Sequence, residues 1–360
     1  MWSKIKTGIG ITIAVLMLSS VTIFHPKDIT ENILMKLISL PEPQEALPFL
    51  SGQDRPLAEA LDAVSAESIE ATVRELSSYP SRVVGYAGAD SAYEYVSKEF
   101  RNIGLQNIRT EVFPVTVPID KGSKLTVLKT GDEIPLYALW PNLVRTPTTP
   151  AEGLTGPIIY GGKGEFRDFN GYDIQGSIVL MDFDSSDRFI NARMLGASAV
   201  IFFDSGRVTR SEAERKFLSL PLNVPRYWVD KSHVSSLMTL AESGLNEVNV
   251  QARMEWEIVE AKNIFGWIPG LDEEIPNPRD KTRTKWKDYT IVIESFYDAM
   301  SVVPGLAPGA ESATGIAALL AVARAIKHYK PKYSVVILAT SAHFMGLEGV
   351  HNWLYRHGRA

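Results

Sequence analysis

The sequence predicts an α/β fold with a parallel pair of strands near the C-terminal end of the chain. Two short runs rich in β-branched residues, 289–294 and 333–340, predict strands. Between them, apolar residues recur at helical spacing, which predicts one helix. A strand–helix–strand connection of this length places its two strands side by side and parallel. The apolar helix residues are Ile316, Leu319, Leu320, Ala323 and Ile326.

Side chains of functional interest follow both strands at the points where they are predicted to end. Phe296 and Asp298 follow the first strand, Glu311 lies just before the helix, and His343 and Phe344 follow the second strand. Open α/β sheets bind ligands at the carboxyl ends of their strands. We therefore expect Asp298, Glu311 and His343 to converge in one pocket.

These motifs resemble those of the zinc aminopeptidase, glutamate carboxypeptidase and transferrin receptor-like family (peptidase family M28). The motifs of that family read H-Y-D, D-N-A-S-G and E-E-x-G-L, whereas this chain has F-Y-D, E-S-A-T-G and H-F-M-G-L. The resemblance implies that Phe296 replaces a histidine ligand and that Glu311 replaces the aspartate that bridges two zinc ions. It also implies that His343 takes the position of the general base. Phe344 would then take that of the second glutamate, and Asp298 that of a supporting aspartate.

A phenylalanine side chain cannot bind zinc, which needs N, O or S donors at about 2.0–2.3 Å. The resemblance therefore predicts a degenerate metal site and no cofactor. We expect Phe296 and Phe344 to pack against each other or to fill the vacated pocket. Other roles stay open for the remaining three residues. Asp298 is interpreted as a turn or capping residue, His343 as a hydrogen-bonded pocket residue, and Glu311 as either a ligand or a carboxylate favoured at a helix start. A single-metal site formed by these three residues is an alternative.

The same resemblance implies two domains, one inserted in the other. A peptidase-like α/β domain would be formed by 65–120 and 259–360. We expect a mixed, mostly parallel sheet with helices on both faces. The inserted region, 121–258, would contain a β-rich protease-associated domain at about 151–230. The fragments that carry this second likeness begin at Gly156, Gly176 and Ala192.

The peptidase-like sheet is expected to be incomplete at its C-terminal end. Members of the family continue well beyond the position that corresponds to Ala360, with further strands and further metal ligands. Two explanations are open. The sequence is a fragment of a longer protein, or a partner protein or a second copy of the chain covers the exposed sheet edge.

The N-terminal region predicts a membrane anchor. Lys4 and Lys6 precede an uncharged, mostly apolar run, 7–26, so residues 1–26 resemble a signal anchor or transmembrane helix with the remainder of the chain outside the cytoplasm. A cleaved signal peptide is the alternative. The following region, 27–64, predicts an amphipathic stalk helix and a proline-rich linker.

Composition limits the functions that remain. The formal net charge is −5 and there is no basic stripe, so nucleic acid is not an expected partner. The chain has no cysteine, which excludes disulfides and thiolate metal ligands. We expect a membrane-anchored, non-catalytic binding or assembly subunit with a protein partner or self-association. One alternative is an active zinc-dependent aminopeptidase with atypical ligands or a missing C-terminal half. The other is a sensor of peptides or small molecules.

An uncleaved anchor predicts that the mature protein keeps its first residues. Mass spectrometry of the membrane fraction should detect peptides from 1–24. Detection of a new N-terminus close to Pro26 would instead identify a cleaved signal peptide.

Overall fold

The computed structural model describes residues 64–217, 220–243, 246–277 and 282–358. The described residues all belong to one compact unit. The predicted anchor over 1–26 and nearly all of the predicted stalk and linker over 27–64 lie outside the described residues. No helix within the described ranges is both long and apolar enough to span a bilayer.

The helix ends follow local capping chemistry. The Ser65 hydroxyl accepts the backbone N–H of Ser68 at 3.0 Å, which caps the first helix. Gly104 adopts a left-handed conformation with φ of 75° and ends the second helix. The α-helices of the described residues are α1 Ala66–Ser77, α2 Ala87–Ile103, α3 Phe189–Met194, α4 Arg210–Glu214, α5 Val234–Glu242, α6 Ala310–Tyr329 and α7 Glu348–His357.

The strands of the described residues form one large sheet and one small hairpin. The large sheet contains nine strands, in the order β1-β2-β6-β5-β4-β3-β7-β11-β10. The hairpin pairs β8 with β9. The strands are β1 Gln106–Val127, β2 Glu133–Ala138, β3 Leu154–Tyr160, β4 Ile178–Asp182, β5 Ala199–Phe203, β6 Arg226–Val229, β7 Glu247–Ile268, β8 Glu274–Pro276, β9 Arg283–Lys285, β10 Thr290–Phe296 and β11 Ser334–Thr340.

The sheet is mixed, as predicted, but the expectation that it is mostly parallel was wrong for the described residues. The pairs β3–β4, β4–β5, β5–β6 and β10–β11 are parallel, and the other five pairs of the large sheet are antiparallel. The predicted parallel pairing of β10 with β11 across α6 is confirmed. Four of the five antiparallel pairs include β1 or β7, which form a long two-stranded ribbon that neither motif spacing nor periodicity revealed.

This ribbon joins two parts of the structure. Near its N-terminal end, β7 pairs with β3 on the side away from β1, and near its C-terminal end it pairs there with β11. The predicted domain borders, 120/121 and 258/259, fall inside β1 and β7 respectively. The division into a peptidase-like and an inserted domain stays a prediction, but both parts share these two continuous strands.

One end of the ribbon belongs to a closed ring of strands. The pairs β1–β2, β2–β6, β6–β5, β5–β4, β4–β3 and β3–β7 return to β1 through the β1–β7 pairing. All seven strands contribute to one apolar core, to which α5 adds Leu237. Closure leaves no free edge in the paired segments.

At the other end of the ribbon, β7 pairs with β11, which pairs with β10. The motifs that contain Phe296 and His343 lie at the carboxyl ends of these two strands. Here α1, α2 and α6 pack with β7 and β11 around a second core, whose members include Phe100, Ile264, Leu320 and Ile337. Core residues of α6 such as Ile316 and Leu319 are those that the helical spacing predicted. This packing fixes the carboxyl ends of β10 and β11 next to each other.

Gly349 lets the start of α7 lie directly against the end of β11. A Cβ atom at this position would lie 2.1 Å from the carbonyl oxygen of Ser341 and 2.9 Å from Oδ1 of Asn263. The same Asn263 donates to the carbonyl of Gly349 at 2.7 Å and accepts the backbone N–H of Ser341 at 3.2 Å. The helix, β7 and β11 are therefore joined at one buried point.

We predict that Gly349→Ala lowers the free energy of unfolding by about 1–3 kcal/mol, because the added methyl group must displace backbone. Gly305→Ala is the matched control, since its Cβ would meet no atom closer than 3.6 Å. Urea unfolding of the two variants measures the difference. Equal midpoints for both variants would show that α7 does not need this close approach.

Candidate functional site

Three aromatic rings lie at the carboxyl ends of β10 and β11. Phe296 is the last residue of β10 and pairs with Thr340, so the residues that follow β11 are placed beside it. The His343 ring stacks on the Phe296 ring, with centroids 3.8 Å apart and an interplanar angle of 21°. Phe344 meets both edge-on, at 5.4 Å from Phe296 and 5.0 Å from His343. The predicted packing of Phe296 against Phe344 is confirmed, and we call these three rings the aromatic cluster.

Asp298 connects the segments that follow the two strands. Its Oδ2 accepts the backbone N–H of His343 at 3.1 Å, and its side chain is buried. Its Oδ1 is also buried and has no hydrogen-bond partner. Burial raises the pKa of this carboxyl to about 7, although the bond from His343 and the charge of Arg82 act in the opposite direction. Asp298 is therefore a buried cross-link between two loops, and its interpretation as a simple turn residue was incomplete.

Arg82 holds the glycine-rich loop that lies between β10 and α6. Its buried guanidinium donates to the carbonyl of Tyr297 at 3.0 Å and to that of Gly309 at 3.1 Å. It also donates to the carbonyl of Pro308 and, at 3.0 Å, to the hydroxyl of Ser312. Burial lowers the pKa of Arg82 to about 10. The planar guanidinium can satisfy several acceptors at once, which suits it to fixing a loop.

Glu311 is the second residue of α6 and lies at the surface, away from Asp298. Its carboxylate binds Arg210 of α4 at 2.6 Å, and both side chains are largely exposed. Arg210 also binds Glu214, one helical turn further along α4, at 2.8 Å. The Arg210–Glu311 contact bridges the predicted insertion and the peptidase-like part. Because both partners are exposed, solvent screens the attraction.

The aromatic cluster forms one wall of a cleft with a volume of about 470 Å³. Apolar side chains dominate the lining, and three charged residues stand on it. A cavity of this size and character is typical of sites for small ligands or for a single peptide side chain. The lining includes Phe296, Phe344, Phe217, Met300, Val302, Arg210, Glu214 and Glu311.

The residues at this site do not fit a two-zinc centre. In the described ranges, no three His, Asp or Glu side chains lie close enough together to hold one metal ion. Glu311 is bound to Arg210, and Asp298 is turned to the backbone of His343. The expected convergence of Asp298, Glu311 and His343 in one pocket is thus not found, and neither is the alternative single-metal site. The expectation of no cofactor stays a prediction.

Two roles were missed by reasoning from sequence. Arg82 bonds to a loop more than 200 residues away in the chain, and these bonds depend on tertiary packing. The ring of His357 lies 4.9 Å from that of Trp353 and 5.3 Å from that of Phe265. Its Nε2 lies 2.7 Å from Glu111. The apolar residues around His357 were the one available signal.

Comparison with known proteins supports the predicted resemblance. The model of Peptidase family M28 matches residues 279–359, and no curated protein matches this chain. The structure is similar to a zinc aminopeptidase from Bacillus subtilis, with a TM-score of 0.54 and 21% identity, covering 81% of this chain and 65% of that one. It is also similar to a Peptidase M28 precursor from Shewanella amazonensis SB2B, with a TM-score of 0.51 and 16% identity, covering 85% of this chain and 71% of that one.

These structural similarities establish the fold only. The chemistry of the site must be derived from the residues of this chain. The chain spans about two thirds of the length of both solved structures. The matched segment contains all five positions singled out above, from Phe296 to Phe344. The predicted protease-associated likeness and the membrane anchor have no counterpart among these findings and stay predictions.

Asp298 makes the stability of the protein depend on pH. Its pKa of about 7 in the folded state lies above the value of 3.8 for an unburied aspartate, so the folded state holds a proton that the unfolded state has lost in this interval. The free energy of unfolding should therefore fall by about 2–4 kcal/mol as the pH rises from about 4 to 7, and then level off.

Asp298→Asn should remove most of that pH dependence, because the amide does not titrate. Urea unfolding at half-unit pH steps measures the slope, and the exposed Asp173→Asn is the control. A slope that is identical in the two variants would contradict this account of Asp298.

Proposed function

We propose that this protein is a pseudo-peptidase, a non-catalytic binding or assembly subunit built on a peptidase fold. The match of the Peptidase family M28 model to residues 279–359 supports the fold. The observation that carries the proposal is the aromatic cluster. Two of its rings, Phe296 and Phe344, occupy the positions that the resemblance assigns to metal ligands. They pack against His343 and against each other.

The cluster cannot perform metal-assisted hydrolysis. Activation of water by zinc requires donor atoms that hold the ion and leave one coordination position open. Hydrocarbon rings supply no such atoms, and the one imidazole in the cluster is stacked face to face on Phe296. Glu311, which the resemblance would make a bridging ligand, instead neutralises Arg210. The parts that remain intact are the loops and the cleft, which are suited to binding.

We also propose that the protein acts on the outer side of a membrane. The support is the sequence pattern of 1–26, in which Lys4 and Lys6 precede an apolar run. A tethered subunit with a cleft and no hydrolytic centre would contribute to assembly or recognition at the membrane surface. Its partner would be another protein or a second copy of the chain.

A second candidate function is a sensor of peptides or small molecules. The cleft of about 470 Å³ favours it, because a site that had only lost its metal ligands would not need to stay open. Phe344, at 39% exposure, presents its ring to that cleft. In this case the ligand would contact Phe344 and the rim residues, and Phe344→Ala would weaken its binding.

Metal content and turnover test the proposal. The purified full chain, dialysed against zinc, should retain less than about 0.1 zinc per chain, because no set of donors holds the ion. It should show no release of amino acids from aminopeptidase substrates. The zinc aminopeptidase from Bacillus subtilis, handled in parallel, provides the positive control for both measurements. Stoichiometric zinc together with peptide hydrolysis would reject the pseudo-peptidase and favour the active enzyme.

A further inference from the structure

The middle of the β1–β7 ribbon exposes apolar side chains on one face. Ile258 is 77% exposed and pairs directly with Thr116, while Trp256 is 39% exposed and pairs with Pro118. Directly paired residues lie on the same face of a sheet, so these four form one row. The informative feature is that Ile258 and Trp256 are exposed side by side on one face, because a contiguous apolar patch marks an interaction site more often than a single exposed residue does.

A groove of about 460 Å³ borders this row. Its apolar part is formed by the ribbon and by the loop that follows β11, and its only charged residue is Glu348, at the start of α7. This groove and the cleft beside the aromatic cluster share no lining residue. Its lining is Pro114, Val115, Thr116, Ile258, Met345 and Glu348.

Two exposed carboxylates lie beside the apolar row. Glu260 pairs with Pro114 on the same face as Ile258, and Glu348 lines the groove. Within the described ranges neither takes part in an ion pair, whereas the next cation along β7, Lys262, is bound to Asp90. The surface therefore combines apolar area with unneutralised negative charge.

We propose that this ribbon surface, defined by Pro114, Thr116, Ile258, Met345, Glu260 and Glu348, binds an amphipathic protein segment with basic side chains. Apolar side chains of the partner would cover Ile258 and Met345, and its lysine or arginine residues would pair with Glu260 and Glu348. Burial of apolar surface supplies most of the affinity in such contacts, and complementary charge fixes the register. The inference extends the proposed binding function to a second surface, and it does not depend on the loss of the metal.

A lipid bilayer is the less favourable occupant of the same surface. Anionic headgroups would repel Glu260 and Glu348, and surfaces that bind membranes usually place lysine or arginine around their apolar centre. An amphipathic peptide segment with basic side chains complements both the apolar row and the carboxylates. The experiment must still distinguish the two.

Fluorescence anisotropy with labelled synthetic peptides tests the proposal on the full chain in detergent. The probes are three amphipathic peptides of about 14 residues, or four helical turns, built from leucine and lysine, leucine and glutamate, or serine and lysine. The leucine–lysine peptide should bind at least about tenfold more tightly than either of the others, because only it matches both features. Equal binding by the leucine–glutamate peptide, or no binding by any peptide, overturns the proposal.

Matched variants locate the site. Ile258→Ser should weaken binding of the leucine–lysine peptide about tenfold. Leu128→Ser, at a residue that is 48% exposed and lies just beyond the end of β1, should not. Glu260→Gln with Glu348→Gln should weaken binding and reduce its dependence on salt, whereas the exposed Glu94→Gln should do neither. If Ile258→Ser and Leu128→Ser have the same effect, the peptide binds elsewhere and the proposal fails.

A single nitroxide label tests the lipid alternative. The chain has no native cysteine, so Thr116→Cys can be labelled uniquely. In reconstituted vesicles the label should stay accessible to a water-soluble relaxation agent and lose mobility when the leucine–lysine peptide is added. A label that is shielded from the water-soluble agent and exposed to oxygen would show that this surface contacts lipid, and would overturn the proposal. None of these outcomes changes with zinc content, so this inference and the pseudo-peptidase proposal fail independently.

Discussion

The antiparallel ribbon of β1 and β7 is shared by every part of the described structure. It closes the ring of strands at one end, and at the other end β7 holds β11, which in turn holds β10. A strand that takes part in two cores cannot shift its register without turning apolar residues of both cores outwards. The relative placement of the ring and the aromatic cluster therefore depends on the pairing along β1 and β7. The predicted border between domains would cut this ribbon, which explains why a division by sequence likeness is difficult to transfer to the structure.

At the carboxyl ends of β10 and β11, the pairing of the backbones places the side chains independently of their chemistry. Parallel pairing brings Phe296 next to the residues after Thr340, whatever those side chains are. In this chain the side chains are aromatic, and they fill the space with ring contacts. The loops around them keep a polar framework, in which Asp298 accepts from His343 and Arg82 binds four backbone carbonyls. These hydrogen bonds are made to backbone atoms, so they do not depend on the side chains at positions 296 and 344.

Two surfaces of the molecule are suited to binding, and they differ in kind. The cleft beside the aromatic cluster has aromatic side chains in its lining, and the charges on its rim are already paired through Arg210. The ribbon surface around Ile258 is open, and its carboxylates are free of ion pairs within the described ranges. The first suits a small group that enters a cavity, and the second suits an extended or helical segment that covers a row of side chains. A protein with both surfaces can recognise partners without any catalytic step.

Local sequence patterns were sufficient to predict several helices and strands and to identify the residues at the carboxyl ends of β10 and β11. Helical spacing in 316–326, the cap at Ser65 and the β-branched runs before Phe296 and after Tyr333 each depend on neighbours in the chain, and the structure has α6, α1, β10 and β11 there. The order of the motifs likewise indicated the resemblance to Peptidase family M28, whose model matches residues 279–359.

Only the tertiary structure decided which of those residues meet. It separated Glu311 from Asp298 and His343, because the helix start that carries Glu311 faces Arg210 across the cleft. It buried Asp298 and Arg82, and it produced the long ribbon whose antiparallel pairs made the sheet less parallel than expected. These outcomes depend on contacts between segments far apart in the chain. Such contacts are set by the packing of whole cores, so they leave no mark in local periodicity or composition.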